Sequence, residues 1–172
     1  MDIDNSTEQF FLDINWYFTD PYNRLCIVAS AGGILPNFLY EENNQNDEFH
    51  NIVNELPERF ENGRNTNLIQ AIVDFDPENL NQYFRDFDSL AKKGFYVYDK
   101  INLSNPEETN YLLVTYPIYN TETDSFPVKP GDLELIPRIN ISLISRTNES
   151  FDNTNFNSID LVSLLNSQKK QY

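Results

Sequence analysis

The segment from Asp76 to Gly94 constrains the fold most. Asp76-Pro77-Glu78 is a helix start: Asp at the N-cap, Pro at the first helical position, an acid in the first turn. Leu80, Tyr83, Phe84, Phe87, Leu90 and Ala91 then recur at helical spacing, and Lys92-Lys93-Gly94 supplies a cationic last turn and a C′ glycine. The pattern predicts a helix over 77–92 with one apolar face. Such a face has to be buried, so the neighbouring segments must provide a partner surface.

They read as strands. Phe95–Ile101 (FYVYDKI) and Asn110–Tyr119 (NYLLVTYPIY) are aromatic and β-branched, with a polar, Pro-containing link between them. Upstream, Trp16-Tyr17-Phe18 and Arg24–Ser30 (RLCIVAS) flank the turn residues Asp20-Pro21-Tyr22-Asn23 and predict a hairpin. Ala31-Gly32-Gly33 ends it. That glycine pair follows a strand but lacks the GxGxxG and GxxxxGK[ST] spacings, so a turn is the better reading than a phosphate loop.

Phe49, Ile52, Val53 and Leu56 predict a second helix over 47–56, with His50 off its central stripe. A capping-box pattern at Ser6-x-x-Gln9 predicts a short opening helix over 6–12. Residues 61–67 read as loop, and 68–73 as helix rather than strand. Leu133, Leu135, Ile139, Ile141 and Leu143 alternate with polar residues and predict a half-buried strand, with Pro137 at a bulge or edge. Ser158 is placed to cap a final helix carrying Ile159, Val162 and Leu165.

This order predicts one α+β domain over 1–172, frayed at about 1–5 and 167–172. Its expected core is a single antiparallel sheet of about five strands: a hairpin, a helical excursion, then three further strands. The helices are expected to pack on one face. The element order resembles that of PAS-like and profilin-like sheets, which implies a sensor or ligand-binding domain as an alternative function.

Charge bears on function more than motifs do. The chain has 27 acidic and 12 basic side chains among 172 residues, a net charge of −15. That charge repels phosphate backbones, so no nucleic-acid partner is expected. No run approaches 18 apolar residues, so no membrane-spanning helix is expected. The acidic N-terminus lacks the basic start of a signal peptide, which together with the lone Cys26 points to the cytoplasm. One Cys and one His supply no disulfide or His-rich metal site, and no cofactor motif is present. Asp-x-Asp pairs occur at 2/4, 74/76 and 86/88, but none has metal-site spacing. A carboxylate-dependent enzyme is therefore the last of three expectations.

The first expectation is a non-enzymatic, protein-binding domain of inhibitor or immunity type, with a basic protein as partner. Residues 41–62 hold Glu41, Glu42, Asp47, Glu48, Glu55, Glu58 and Glu61 against Arg59 alone. Glu41, Glu42, Glu48 and Glu55 form the candidate acidic patch. A second candidate surface comes from the aromatic surplus, 13 Phe and 10 Tyr. Tyr96 and Tyr98 share one side of their strand, Tyr116 lies on the next, and Arg24 precedes the hairpin's second strand. Amphipathic rings of this kind suit a binding face.

Overall fold

The computed structural model describes residues 13–41, 45–65, 77–120, 124–140 and 159–167. Strands β1 (Asn15–Thr19) and β2 (Leu25–Ala29) pair antiparallel, with Trp16 opposite Val28 and Phe18 opposite Cys26, as the hairpin reading expected. Asn23, at φ 58, makes the turn. Helix α1 (Asn46–Glu55), helix α2 (Pro77–Lys92), strand β4 (Phe95–Lys100) and strand β5 (Asn110–Ile118) lie where the sequence patterns put them. Strand β3 (Glu61–Arg64) precedes α2, and a two-residue strand β6 (Ile159–Asp160) leads into helix α3 (Leu161–Ser167).

The sheet is mixed, which corrects the antiparallel expectation. Its order is β1-β2-β4-β5-β3, with β6 also on β5. β2 and β4 run parallel, pairing Cys26 with Tyr96 and Val28 with Tyr98. The excursion through α1, β3 and α2 is the crossover that parallel strands require. The other pairings are antiparallel, and a bulge beside Val97 and Tyr98 breaks the β4–β5 register.

The helices do not share one face, a second correction. Tyr17, Leu25, Ile27, Phe95 and Val97 pack under α1 and α2 with Phe49, Val53 and Ala91. Trp16, Phe18, Cys26, Val28, Tyr96 and Tyr98 point the other way, toward Leu35, Leu39 and the α3 residues Leu161, Val162 and Leu165. Every residue of β4 is buried, because both sides of the strand are covered.

Three further differences have local causes. Residues 61–64 form β3 instead of loop, pairing Gly63 with Tyr116. Gly63 fits because a β-carbon there would strike the Tyr116 ring. Pro130–Leu135 is a 3-10 turn, not the start of a strand. The apolar residues there also recur every third position: Leu133 and Ile136 join the α1 side of the core, and Ile139 joins the other side. The segment thus passes around the β1 edge, held by Thr19 N–H to Pro137 O (2.9 Å) and Ile139 N–H to Thr19 O (2.8 Å). Pro137 does occupy an edge position, where a missing N–H costs nothing. Asp160 holds the start of α3: its carboxylate accepts from Ser163 N–H (2.9 Å) and Ser163 Oγ (2.7 Å), while Ser158, the expected cap, lies outside the described residues. The helices expected over 6–12 and 68–73, and the continuation of the strand past 140, lie outside the described residues. Among the described residues no helix is long and apolar enough to cross a membrane.

Candidate functional site

Two polar clusters mark opposite ends of the β2–β4 pair. At the amino ends, the Asp20 carboxylate accepts from the backbone N–H groups of Tyr22 (2.9 Å) and Arg24 (3.0 Å) and from Arg24 Nε (2.5 Å). The Arg24 guanidinium lies over the rings of Tyr22 (5.4 Å) and Tyr96 (5.8 Å). Burial pushes the Tyr96 phenol up to about 12, with Arg24 pulling the other way. Burial also raises the Cys26 thiol, and the Asp20 charge adds to that. The cluster clamps the hairpin and leaves Cys26 a poor nucleophile.

The structure thus brings Arg24, Tyr96 and Tyr98 together on one face. It does not place the tyrosines on an open surface: Tyr96 is 6 % and Tyr98 3 % exposed. Tyr116 is half-buried against the same cluster. Tyr22, which the sequence marked only as a turn residue, is the exposed ring here.

At the carboxyl ends, Asp99 and Lys100 close β4 on opposite faces. Asp99 faces α2 and accepts from Tyr83 Oη (2.7 Å); burial lifts its carboxyl up to about 6 against that bond and the Lys100 N–H. Lys100 is 5 % exposed and donates its ammonium to the Gly32 carbonyl. Burial lowers its pKa, while the charges of Glu108, Asp99 and Asp13 oppose the shift. Ala31, Gly32 and Gly33 all have positive φ (49, 74 and 100). The Gly-Gly pair is indeed a turn, but one shaped around Lys100: a β-carbon on Gly33 would collide with Lys100 Nζ and the Pro106 carbonyl. Sequence reasoning passed over Lys100. The available signal was the charged Asp99-Lys100 pair ending a strand otherwise made of apolar and aromatic residues.

On the strands beside the carboxyl ends, Trp16 and Tyr111 each carry a buried polar atom. Trp16 and Tyr111 are both 0 % exposed and meet edge to face, centroids 5.9 Å apart and planes at 85°. Among the described residues neither Trp16 Nε1 nor the Tyr111 hydroxyl has a hydrogen-bond partner. Buried polar groups are nearly always paired, so such a couple calls for an explanation.

The acidic patch is arranged differently from the aromatics. Phe49 and Val53 fix the inward face of α1, which leaves Asp47, Glu48 and Glu55 exposed on its outer side. Glu41 is exposed after the 3-10 turn Asn37–Tyr40, and Glu42 lies outside the described residues. His50 is half-buried, a boundary position as expected, with Nδ1 at 2.5 Å from Tyr17 Oη. Of the Asp-x-Asp pairs, Asp86 is exposed while Asp88 is engaged by Arg64 and Asn62. Among the described residues no group of three or more His, Cys, Asp or Glu side chains could hold a metal ion. Comparison with known protein families, with curated proteins and with solved structures finds no match for this chain.

Proposed function

We propose that this chain is a small acidic binding domain that docks a basic protein surface through the outer side of α1 and the start of β3. The observation that carries the reading is how the charges are used. The nearby cations are committed internally: Arg59 to Ser125, Lys93 to the Val53 and Asn54 carbonyls, Lys92 to Glu58, Arg64 to Asp88. Asp47, Glu48, Glu55 and Glu61 are exposed and make no side-chain hydrogen bond or ion pair among the described residues. Hydrogen bonds to neutral oxygens leave Arg59 and Lys93 charged, so the field here is the net of Asp47, Glu48, Glu55 and Glu61 over these two cations; it is negative, which accelerates encounter with a basic partner and weakens in salt. An inhibitor or immunity-type protein uses a surface of this kind.

The test is association kinetics with cytochrome c and poly-lysine as basic probes. Neutralising Glu48, Glu55 and Glu61 together to Gln is expected to slow association about tenfold at low salt. Neutralising Glu78 and Asp86 on α2 is expected to do much less. Equal losses from both sets, or association indifferent to salt, would overturn the reading. A second reading, a sensor-like domain holding a small molecule against its aromatic sheet, is favoured by the buried Trp16 Nε1 and Tyr111 hydroxyl, which lack a hydrogen-bond partner among the described residues.

A further inference from the structure

Asn62-Gly63 on β3 is the one Asn-Gly step in the chain. At such a step an asparagine loses its amide most readily, because glycine has no β-carbon to hinder its own nitrogen from attacking the side chain before it. The structure gives both residues a reason to be there. Asn62 Nδ2 donates to Asp88 Oδ1 on α2 at 2.7 Å, beside the bonds that Arg64 makes to the same carboxylate. Gly63 stands opposite Tyr116, whose ring occupies the space a β-carbon would take. Packing thus fixes a glycine directly after the asparagine. The strand also holds the two reacting groups apart. Asn65 N–H bonds to Val114 O at 2.8 Å, so alternation along β3 turns the Gly63 N–H toward β5 as well. The Asn62 amide reaches instead to α2. Attack needs both groups released, hence a local opening of β3, which is four residues long and lies at the sheet edge.

We propose that Asn62 is a self-modification site whose deamidation unlocks β3 from α2. When β3 opens, the deprotonated Gly63 nitrogen attacks Asn62 Cγ, and Nδ2 leaves as ammonia. The cyclic imide then takes up one water. Opening at Cγ leaves aspartate at position 62, and opening at the main-chain carbonyl leaves isoaspartate. Amide and water have become carboxylate and ammonium, with no change of oxidation state. Either product removes the donor to Asp88 and brings a second negative charge into the same network. Isoaspartate also adds a methylene to the main chain, which throws Gly63 and Arg64 out of register with Tyr116 and Thr115. β3 cannot close as before, so the change runs one way and accumulates with time. The step needs no docked partner, so its failure and the failure of the docking reading are distinguishable.

Trypsin, cutting after Arg59 and Arg64, releases Phe60–Arg64, in which Asn62 is the only side-chain amide. The full chain is aged in mildly alkaline buffer, folded or in urea, beside folded Asp88→Ala, and the mass of that peptide is followed. The folded parent is expected to convert at least about tenfold more slowly than the unfolded chain, and Asp88→Ala about tenfold faster than the folded parent. The deamidated chain carries one more negative charge and is separated from the parent by anion exchange. In it, and in Asn62→Asp, the Asn65 N–H is expected to exchange about tenfold faster while the β2 amides are unchanged. Equal conversion rates in the folded and unfolded parent would overturn the proposal, because β3 would then not gate the reaction. So would the absence of conversion in folded Asp88→Ala while the unfolded chain converts. Unchanged Asn65 protection in the deamidated chain would show that the new charge is accommodated without unlocking β3, and would overturn it too.

Discussion

Tyr83 on α2 donates its hydroxyl to Asp99 on β4 at 2.7 Å, and Asp99 is 4 % exposed. The bond ties the longest helix to the most buried strand through a carboxylate that prefers to be neutral there. Its pKa rises from an ordinary 3.8 up to about 6 because burial outweighs the bonds from Tyr83 and Lys100 N–H. A folded-state value above the unfolded one means that the native state holds this proton more tightly. The contribution of Asp99 is therefore most favourable below pH ~4, is lost as pH rises toward ~6, and stays unfavourable above that. The full swing is about 3 kcal/mol. Asp99→Asn removes the ionisation, and the Tyr83 hydroxyl can turn to accept from the amide. Urea unfolding is expected to show the variant gaining stability over the parent across pH 4–6 and keeping the gain at pH 8. A difference that does not change with pH would contradict this.

Arg64 reaches from β3 to Asp88 on α2, with Nη2 to Oδ2 at 2.5 Å and Nε within 3.2 Å of both oxygens. Asn62 adds a bond to Oδ1 at 2.7 Å, and the guanidinium stacks over Phe84 at 4.5 Å. β3 is short and at the sheet edge, so this network is its main side-chain anchor to the helix. Asp88→Ala is expected to cost about 1–2 kcal/mol, reduced from a buried pair because the Arg64 side chain is 36 % exposed. Hydrogen exchange should localise the change: the Asn65 N–H, bonded to Val114 O, is expected to lose protection more than any amide of β2. Uniform loss across the sheet would show that β3 is not a separate cooperative unit.

Most elements were legible because their periodicity is local. Helix α2 announces itself through Leu80, Tyr83, Phe84 and Phe87, and the hairpin through Asp20–Asn23. The direction of β4 relative to β2 is not local, since it depends on where the excursion through α1 and α2 returns. A signal did exist. Leu25–Ala29 and Phe95–Tyr98 are continuous apolar runs, not alternating ones, and such runs mark strands covered on both faces. Reading them with a single covering layer led to the one-faced, antiparallel expectation. Residues 133–139 misled for another reason, because alternation and three-residue spacing coincide there and Pro130-Gly131 favours the turn. At the candidate sites, strand alternation puts Tyr96 and Tyr98 on one side of β4, and the parallel pairing with β2 brings Arg24 over the Tyr96 ring. Their burial was hidden, because it comes from α3 and Leu39, distant in sequence.

Cys26 is 1 % exposed, and burial with the Asp20 charge holds its thiol well above the ordinary range. Both inaccessibility and the scarcity of thiolate then oppose alkylation. Iodoacetamide labelling of the native chain is expected to be about a thousandfold slower than in urea, following the global opening of the β1–β2–β4 core. Followed by mass spectrometry across urea concentrations, the rate should track the unfolding transition. Rapid labelling without denaturant would mean that the hairpin opens independently of the core.

Gly33 is held at φ +100, with Lys100 Nζ and the Pro106 carbonyl where a side chain would begin. Gly33→Ala therefore meets an unfavourable backbone region and a collision together. One of the colliding atoms is backbone and cannot swing away; the other is the ammonium that bonds Gly32 O. The expected cost is about 2–3 kcal/mol, a drop in Tm of about 6 °C or more for a chain of this size. Gly131 is the matched control: it sits in the 3-10 turn without a positive φ and has nothing within 4 Å of an added β-carbon. Gly131→Ala is expected to change stability by no more than ~1 kcal/mol, on the stabilising side, because it lowers the entropy of the unfolded chain. Thermal unfolding of the two variants side by side separates backbone strain at the Lys100 turn from a general effect of adding a methyl group. Equal Tm shifts would show that the turn tolerates a side chain and that Lys100 is not locked by it.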